Sequence, residues 1–128
     1  RKLLKNTGLW KMLNQTNIPI MGTCAGAILI GECSEENLGK IDMKIDRNYY
    51  GRQKESFQKQ ISVKDNDPFD GVFIRAPAIT KIGDNVEPIA WENKQIVGCV
   101  EGKNMALTFH PELTNDLTFH KIWLERLS

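Results

Sequence analysis

The chain has 128 residues, 41% of them hydrophobic, and its 17 Lys and Arg residues balance 16 Asp and Glu residues to a formal net charge of +1. This composition excludes a globally disordered chain, and it argues against a nucleic-acid clamp or a polybasic membrane patch, because both need a local excess of positive charge. No apolar run reaches the roughly 18 residues that a membrane-spanning helix needs. We therefore expect a cytoplasmic protein that binds neither nucleic acid nor membrane.

The cysteines are odd in number, and Cys24, Cys33 and Cys99 show no CxxC spacing. This pattern predicts thiols rather than a disulfide framework, and it offers no set of metal ligands. The chain also contains no internal repeat, no low-complexity tract and no convincing linker. Residues 1–128 are therefore expected to belong to one domain.

The first elements indicate an alternation of helix and strand. Apolar residues over Arg1–Asn14 recur near a helical period, and Gly8 interrupts them. The pattern is therefore consistent with either one long helix or two short helices. The apolar run Ile18–Gly22 is typical of a strand buried on both faces. Ala25–Ile30 then reads as the first turns of a helix.

The middle of the chain predicts strands. Polar and apolar residues alternate over Ile41–Asp46, which is the pattern of a strand with one face in water. A second strand of this kind is expected over Phe57–Val63, after a polar turn at Arg47–Glu55. Val72–Ile74 is expected to form a buried strand that stops before Pro77.

Three closely spaced strands are predicted next, over Val86–Trp91, Gln95–Val100 and Met105–Phe109. Asn93 and Gly102 lie between them, where tight turns favour these residue types. Together with the preceding helices, these strands predict one α/β domain that carries additional antiparallel strands.

A final helix is predicted to run to Leu127, with Asp116 as its capping residue. The spacing places Leu117, Leu124 and Leu127 on one face, as in an amphipathic helix.

The segment Gly22–Gly26 has the pattern G-x-Cys-x-G between a predicted strand and a predicted helix. This is the pattern of a nucleophile elbow with Cys24 in place of serine, and the glycines are needed because larger side chains would collide across so sharp a turn. The amino end of the following helix would stabilise a thiolate and a developing oxyanion. The pattern alone is equally consistent with Cys24 being a small, buried apolar residue without a catalytic role.

The segment Phe109–Leu113 follows the last predicted strand and contains His110 and Glu112. In an extended segment, which Pro111 would maintain, side chains two residues apart project to the same side. A cysteine nucleophile needs a base, and the base needs a carboxylate that holds its tautomer. Although an isolated histidine is more often structural, the two motifs together predict that Cys24, His110 and Glu112 form a catalytic triad.

The remaining reactive side chains have no comparable setting. Cys33 and Cys99 belong to no elbow and are interpreted as apolar fillers. His120 lies within the final helix and is interpreted as a surface or packing residue.

These motifs resemble those of the class I (triad) glutamine amidotransferases. Three segments, Arg47–Gln53, Gly71–Pro77 and Phe109–Thr114, are similar to the glutaminase subunits of pyridoxal 5′-phosphate synthase, and the sequence FIRAP is the most specific of them. The similarity covers essentially the whole chain. It implies a three-layer, flavodoxin-like class I glutamine amidotransferase fold, with a mostly parallel central sheet and additional antiparallel strands.

The resemblance assigns roles to four residues. Cys24 would be the nucleophile that attacks the side-chain amide of glutamine, His110 the general base and acid, and Glu112 the carboxylate that orients the histidine. The backbone N–H of Ala25 would be one oxyanion donor. Ammonia would leave first, and water would then hydrolyse the glutamyl thioester.

The resemblance also implies a substrate site and a partner. Arg47, Ile74 and Arg75 match glutamine-binding positions, and a guanidinium is suited to the α-carboxylate of a free amino acid. No metal or cofactor is expected. The partner would be a (β/α)₈-barrel synthase subunit that combines ammonia with ribose 5-phosphate and glyceraldehyde 3-phosphate.

The chain departs from this family at its amino end. The family begins with further strands and a Gly-rich loop of the PGGES type, which carries the second oxyanion donor, and nothing here matches them. The chain is therefore expected to be N-terminally incomplete and to lack those strands. Three alternatives remain: a truncated, catalytically impaired remnant that binds a partner, a glutaminase of another biosynthetic complex, and a peptidase or chaperone with a cysteine elbow. The last class commonly has His where Ala25 stands here.

Overall fold

The computed structural model describes residues 18–31, 40–46 and 56–127. In chain order they form β1 (Met21–Thr23), α1 (Ala25–Ile30), β2 (Met43–Asp46), β3 (Ser56–Val63), β4 (Phe69–Ile74), β5 (Ala78–Ile82), β6 (Glu87–Glu92), β7 (Gln95–Glu101), β8 (Asn104–Leu107), a 3₁₀ helix (Pro111–Leu113) and α2 (Thr118–Leu127). The helix predicted over Arg1–Asn14, the turn predicted over Arg47–Glu55, and Cys33 lie outside the described residues.

The described strands form a six-stranded sheet in the order β1-β8-β7-β6-β3-β4, and β2 pairs with β5 in a second, two-stranded sheet. β1 runs parallel to β8, with Met21 opposite Met105. The other described pairs are antiparallel. This mixed sheet with helices confirms the predicted α/β fold class.

The larger sheet is covered on both faces. Along β8, Met105 and Leu107 belong to the hydrophobic cluster on the α2 side, whereas Ala106 belongs to the cluster that contains α1, β2 and β5 residues. Such alternation is what the pleat of a strand produces when both faces are buried. The described elements therefore form three layers, with α2 on one face and α1 with the small sheet on the other.

The sequence did not predict β5. Pro77 separates β4 from a strand that begins at the next residue, Ala78, and Ile79 of this strand pairs with Ile45. Proline is compatible with the edge of a strand, where its missing N–H removes no hydrogen bond from the ladder. It therefore marks the boundary between two strands rather than the end of the strand region. β8 also ends at Leu107, two residues before the expected end.

Turn and cap residues lie where the sequence predicted them. Asn93 and Gly102 have φ values of 55° and 59° in the connections that follow β6 and β7. The carboxylate of Asp116 accepts hydrogen bonds from the N–H of Thr118 at 3.0 Å and from its hydroxyl at 2.6 Å. Asp116 thus satisfies one backbone N–H at the start of α2, as a helix cap should.

The face of α2 that packs on the core differs from the prediction. Phe119 is fully buried, with Ile122 and Trp123 packed against the same cluster, whereas Leu117 and Leu124 are 55% and 59% exposed. Both sets have helical spacing, so periodicity alone could not choose between them. Phe119 is buried because its ring contacts those of Phe69 and Phe109.

All five phenylalanines of the chain form one aromatic cluster. Phe73 stacks on Phe57 with ring centroids 4.7 Å apart, and Phe109 lies 5.6 Å from Phe73 and 5.0 Å from Phe119. Phe69 contacts both Phe109 and Phe119. The cluster therefore joins β3, β4, the segment after β8, and α2, and the sequence analysis did not anticipate it.

Candidate active site

Cys24 is the single residue between β1 and α1. Its backbone has φ 51° and ψ −113°, which is a strained conformation for a residue other than glycine. Its N–H donates to the carbonyl of Leu107 at 2.8 Å, and its own carbonyl accepts from the N–H of Ala27 at 3.0 Å. These bonds hold the sharp strand-to-helix turn that the elbow pattern predicts.

The two glycines of this turn have different roles. A Cβ atom on Gly22 would lie 2.5 Å from the carbonyl oxygen of Gly26 and 3.0 Å from Cδ1 of Ile30. A Cβ atom on Gly26 would have no atom of the described residues within 4 Å. The expectation of a collision is therefore confirmed at Gly22 and is wrong for Gly26 within the described part of the chain.

The pairing of β1 with β8 brings the two predicted motifs to the same edge of the sheet. Thr23, at the end of β1, lies opposite Leu107, at the end of the parallel strand β8. Cys24 follows the first strand directly and His110 follows the second by three residues. Functional side chains of open α/β sheets collect at the carboxyl ends of parallel strands.

His110 and Glu112 are joined by a hydrogen bond of 2.6 Å between Nδ1 and Oε2. His110 is extended, with φ −106° and ψ 91°, as predicted. The prediction is wrong for Glu112, which lies in the 3₁₀ helix that begins at Pro111, the residue type that favours the first position of a helix. The two side chains meet nevertheless, and the bond leaves the other ring nitrogen of His110 available to a second partner.

The pKa of Glu112 is below its ordinary value. Burial acts to raise it, but a hydrogen bond from its own backbone, the hydrogen bond with His110, and the charges of His110 and His120 together outweigh burial. Glu112 is therefore ionised at neutral pH.

His120 also acts electrostatically on Glu112. Its charge contributes to the lowered pKa of Glu112, and its Nδ1 atom is buried with no hydrogen-bond partner among the described residues. The sequence analysis interpreted it as a surface or packing residue. No motif connects it with Glu112, because the two residues are separated by the turn that precedes α2.

The carboxyl end of β4 also reaches Cys24. The thiol of Cys24 donates to the backbone carbonyl of Ile74 at 3.3 Å. The next residue, Arg75, has φ 45°, in the left-handed region. Two of the three predicted glutamine-binding residues thus lie beside the predicted nucleophile, and the third, Arg47, lies outside the described residues.

Cys99 and Cys24 are both buried, but Cys99 lies in the middle of a strand and not at a turn. It lies in β7 with 0% exposure, and its thiol contacts Sδ of Met43 at 3.7 Å. Burial, with a smaller effect from the charge of Glu101, raises its pKa to about 12. Cys99 is a buried apolar residue, as the sequence analysis predicted.

The described ranges contain no group of three or more His, Cys, Asp or Glu side chains placed to hold a metal ion. Within the same ranges, no helix combines the length and the apolar character needed to cross a bilayer.

A comparison with known protein families gives a match over the whole chain. Residues 1–128 match the model of the SNO glutamine amidotransferase family. Similar curated proteins include the pyridoxal 5′-phosphate synthase subunit PdxT of Methanocaldococcus jannaschii, at 48% identity over 90% of this chain and 64% of that protein. The PdxT subunit of Pyrococcus furiosus is 41% identical over 98% of this chain and 70% of that protein. The chain thus spans about two thirds of the length of the curated relatives it matches.

Solved structures agree with the fold. A crystal structure of a glutamine amidotransferase superposes with a TM-score of 0.86 at 36% identity, over 98% of this chain and 71% of that one. A glutamine amidotransferase from Thermotoga maritima, at 19% identity and a TM-score of 0.61, shares the fold over 96% of this chain and 52% of its own.

Proposed function

The chain belongs to the SNO glutamine amidotransferase family, and from this premise we propose that the whole protein hydrolyses L-glutamine to L-glutamate and ammonia. Residues 1–128 would belong to one glutamine amidotransferase domain. One observation carries the proposal: the strained elbow at Cys24 and the His110–Glu112 pair follow adjacent parallel strands at the same sheet edge.

In the proposed reaction His110 takes the proton from the thiol of Cys24. The sulfur attacks the side-chain carbonyl carbon of glutamine, and a tetrahedral intermediate forms with a negative charge on oxygen. His110 then gives its proton to the departing nitrogen, the C–N bond breaks, and ammonia leaves behind a glutamyl thioester. Water attacks the thioester with His110 as the base, which releases glutamate and restores the thiol.

The hydrogen bond between His110 and Glu112 determines which nitrogen acts. Because Nδ1 of His110 lies 2.6 Å from Oε2 of Glu112, Nδ1 carries the proton and Nε2 is the base. Ionised Glu112 also stabilises the imidazolium that forms when His110 takes the thiol proton. Glu112 thus supports each proton transfer without being protonated itself.

The developing oxyanion is proposed to bind the backbone N–H of Ala25. Ala25 is the first residue of α1, so its N–H has no acceptor within the helix. A donor of this kind contributes about 10²–10³ in rate when it is aligned with the oxyanion.

The substrate is proposed to lie against the end of β4. The carbonyl of Ile74 already accepts a hydrogen bond from the thiol of Cys24, so a ligand bound at this carbonyl is within reach of the sulfur. Arg75 follows directly, and Arg47 is the third residue proposed to hold glutamine. A guanidinium binds an α-carboxylate through two parallel hydrogen bonds.

The ammonia is proposed to pass to a (β/α)₈-barrel synthase subunit, and the complex to make pyridoxal 5′-phosphate in the cytoplasm. This proposal is supported by the curated relatives, which are subunits of pyridoxal 5′-phosphate synthase. Delivery through a complex suits the chemistry, since free ammonia is mostly protonated at neutral pH and is then not nucleophilic.

The test is to measure glutamate release from glutamine by the full-length gene product, with and without a barrel synthase subunit. We expect release by the wild-type protein, a loss of at least about 10³-fold in Cys24→Ser and a loss of about 10-fold or more in Glu112→Gln. Cys99→Ser is the matched thiol control and should retain activity. Absence of glutamate under both conditions, or equal release by Cys24→Ser, would contradict the proposal.

A further inference from the structure

The main chain of β4 binds both partners of the proposed proton transfer. The carbonyl of Val72 accepts the N–H of His110 at 2.8 Å, and the carbonyl of Ile74 accepts the thiol of Cys24 at 3.3 Å. Carbonyls two residues apart point to the same edge of a strand, so one edge of β4 faces both residues. A shift of β4 would therefore move both attachment points.

Phe73 lies between these two carbonyls, and its side chain belongs to the buried core. The ring stacks on Phe57 at 4.7 Å with an interplanar angle of 6°. It also lies 5.6 Å from the ring of Phe109, the residue that precedes His110. A Cβ atom on Gly71 would lie 2.9 Å from Cε2 of Phe73, so the absence of a side chain there leaves the ring its space.

We propose that Phe73 is a positioning residue: its ring fixes β4 at the place where the carbonyls of Val72 and Ile74 set the relative position of His110 and Cys24. The ring has no group that could react with glutamine, and it acts only through the strand. The catalytic consequence rests on the proposed glutaminase function. The sequence FIRAP, singled out above, thus contributes a packing residue as well as its substrate-binding candidates.

A smaller side chain at position 73 should loosen this arrangement. Phe73→Leu would leave a cavity beside Phe57 and Phe109 that the surroundings fill only in part. β4 would then settle toward the cavity, and a displacement of about 1 Å at a reacting group can cost about 10²-fold in rate. Substrate affinity should change less, because Phe73 is not among the residues proposed to hold glutamine.

The experiment compares Phe73→Leu with Phe119→Leu in the full-length protein, assayed with its synthase partner. Both substitutions remove a fully buried ring that contacts Phe109, but Phe119 belongs to α2, whereas Phe73 belongs to β4 and lies between the two carbonyls. The readouts are kcat, KM, urea unfolding, and hydrogen exchange of the His110 amide, which reports the bond to Val72 without any need for catalysis.

We expect both variants to lose stability, and only Phe73→Leu to lose about 10- to 100-fold in kcat with KM within about threefold. The His110 amide should exchange about 10-fold faster in Phe73→Leu than in Phe119→Leu. If Phe73→Leu does not fold, Phe57→Leu removes the stacked ring instead. It should change kcat and the exchange of the His110 amide in the same direction by a smaller factor. Equal kcat losses, or equal exchange of the His110 amide, in the compared variants would overturn the proposal. Should wild-type protein release no glutamate, the proposed function fails while the exchange comparison still decides the role of Phe73.

Discussion

The carbonyl oxygen of Gly26 lies 2.5 Å from the position that a Cβ atom on Gly22 would occupy. Gly22→Ala must therefore displace backbone, and we expect it to lower the free energy of unfolding by about 1–3 kcal/mol, as overpacking does. The matched variant Gly26→Ala meets no described atom and replaces a helical glycine, so its stability should be unchanged or higher by up to about 1 kcal/mol. Urea unfolding of both variants is the measurement, and equal losses would contradict this account.

Cys24 and Cys99 should differ in their reaction with iodoacetamide. At pH 8 a thiol with a pKa of about 12 is ionised in about one molecule in 10⁴, and Cys99 is also fully buried. We expect Cys24 to be alkylated at least about 10-fold faster, with glutamate release lost in parallel. Peptide mass spectrometry gives the site and the rate. Activity that survives complete alkylation of Cys24 would contradict its proposed role as the nucleophile.

The two faces of α2 should respond very differently to truncation. Phe119→Ala removes a fully buried ring and should cost about 3–5 kcal/mol of unfolding free energy. Leu124→Ala, on the exposed face, should change it by less than about 0.5 kcal/mol. Chemical denaturation measures both changes, and a comparable cost for Leu124 would contradict this assignment of the two faces.

Asp116 should stabilise α2 in a pH-dependent way. Asp116→Ala is expected to cost about 1 kcal/mol at pH 7, whereas Glu125→Ala, which changes an exposed acidic residue of the same helix, should cost less than about 0.5 kcal/mol. Hydrogen bonds from the hydroxyl and then the N–H of Thr118 hold the pKa of Asp116 below its ordinary value of 3.8.

A lowered pKa in the folded state sets the sign of the effect of acid on this cap. The charge-dependent part of the stabilisation is complete above pH 3.8 and is lost as the pH falls through the lower pKa of the folded protein. The difference between wild-type protein and Asp116→Ala should therefore shrink when urea unfolding is repeated at decreasing pH below 4. A difference that stays constant over this range would assign the effect to something other than the carboxylate.

The sequence predicted the features that have local chemical signatures. The elbow could be recognised because Gly22 and Cys24 stand between an apolar run and a helix, and the cap because Asp116 precedes a helical pattern. The fold class followed from the order of strands and helices. For the elbow and the cap, the residues that signal the feature are neighbours in the chain.

Features that depend on contacts between distant residues could not be predicted from the sequence. The face of α2 depends on the rings that meet Phe119, and the path of the chain after Pro77 depends on the pairing of β5 with β2. The hydrogen bond between Cys24 and Ile74 joins a side chain to a backbone carbonyl. Because every residue has a backbone carbonyl, no residue type in the sequence indicates this bond.

The parallel pairing of β1 with β8 has a consequence for the order in which the protein assembles itself. The N–H of Ile20 binds the side chain of Asn104, 84 positions later, so a long stretch of the chain must close before Cys24 and His110 reach the same sheet edge. Contacts of such long range form late, because the entropy of closing the loop is lost before the contact stabilises anything. In a chain emerging from the ribosome, Cys24 therefore stays apart from His110 until β8 has been synthesised, and the same delay recurs each time the protein unfolds and folds again.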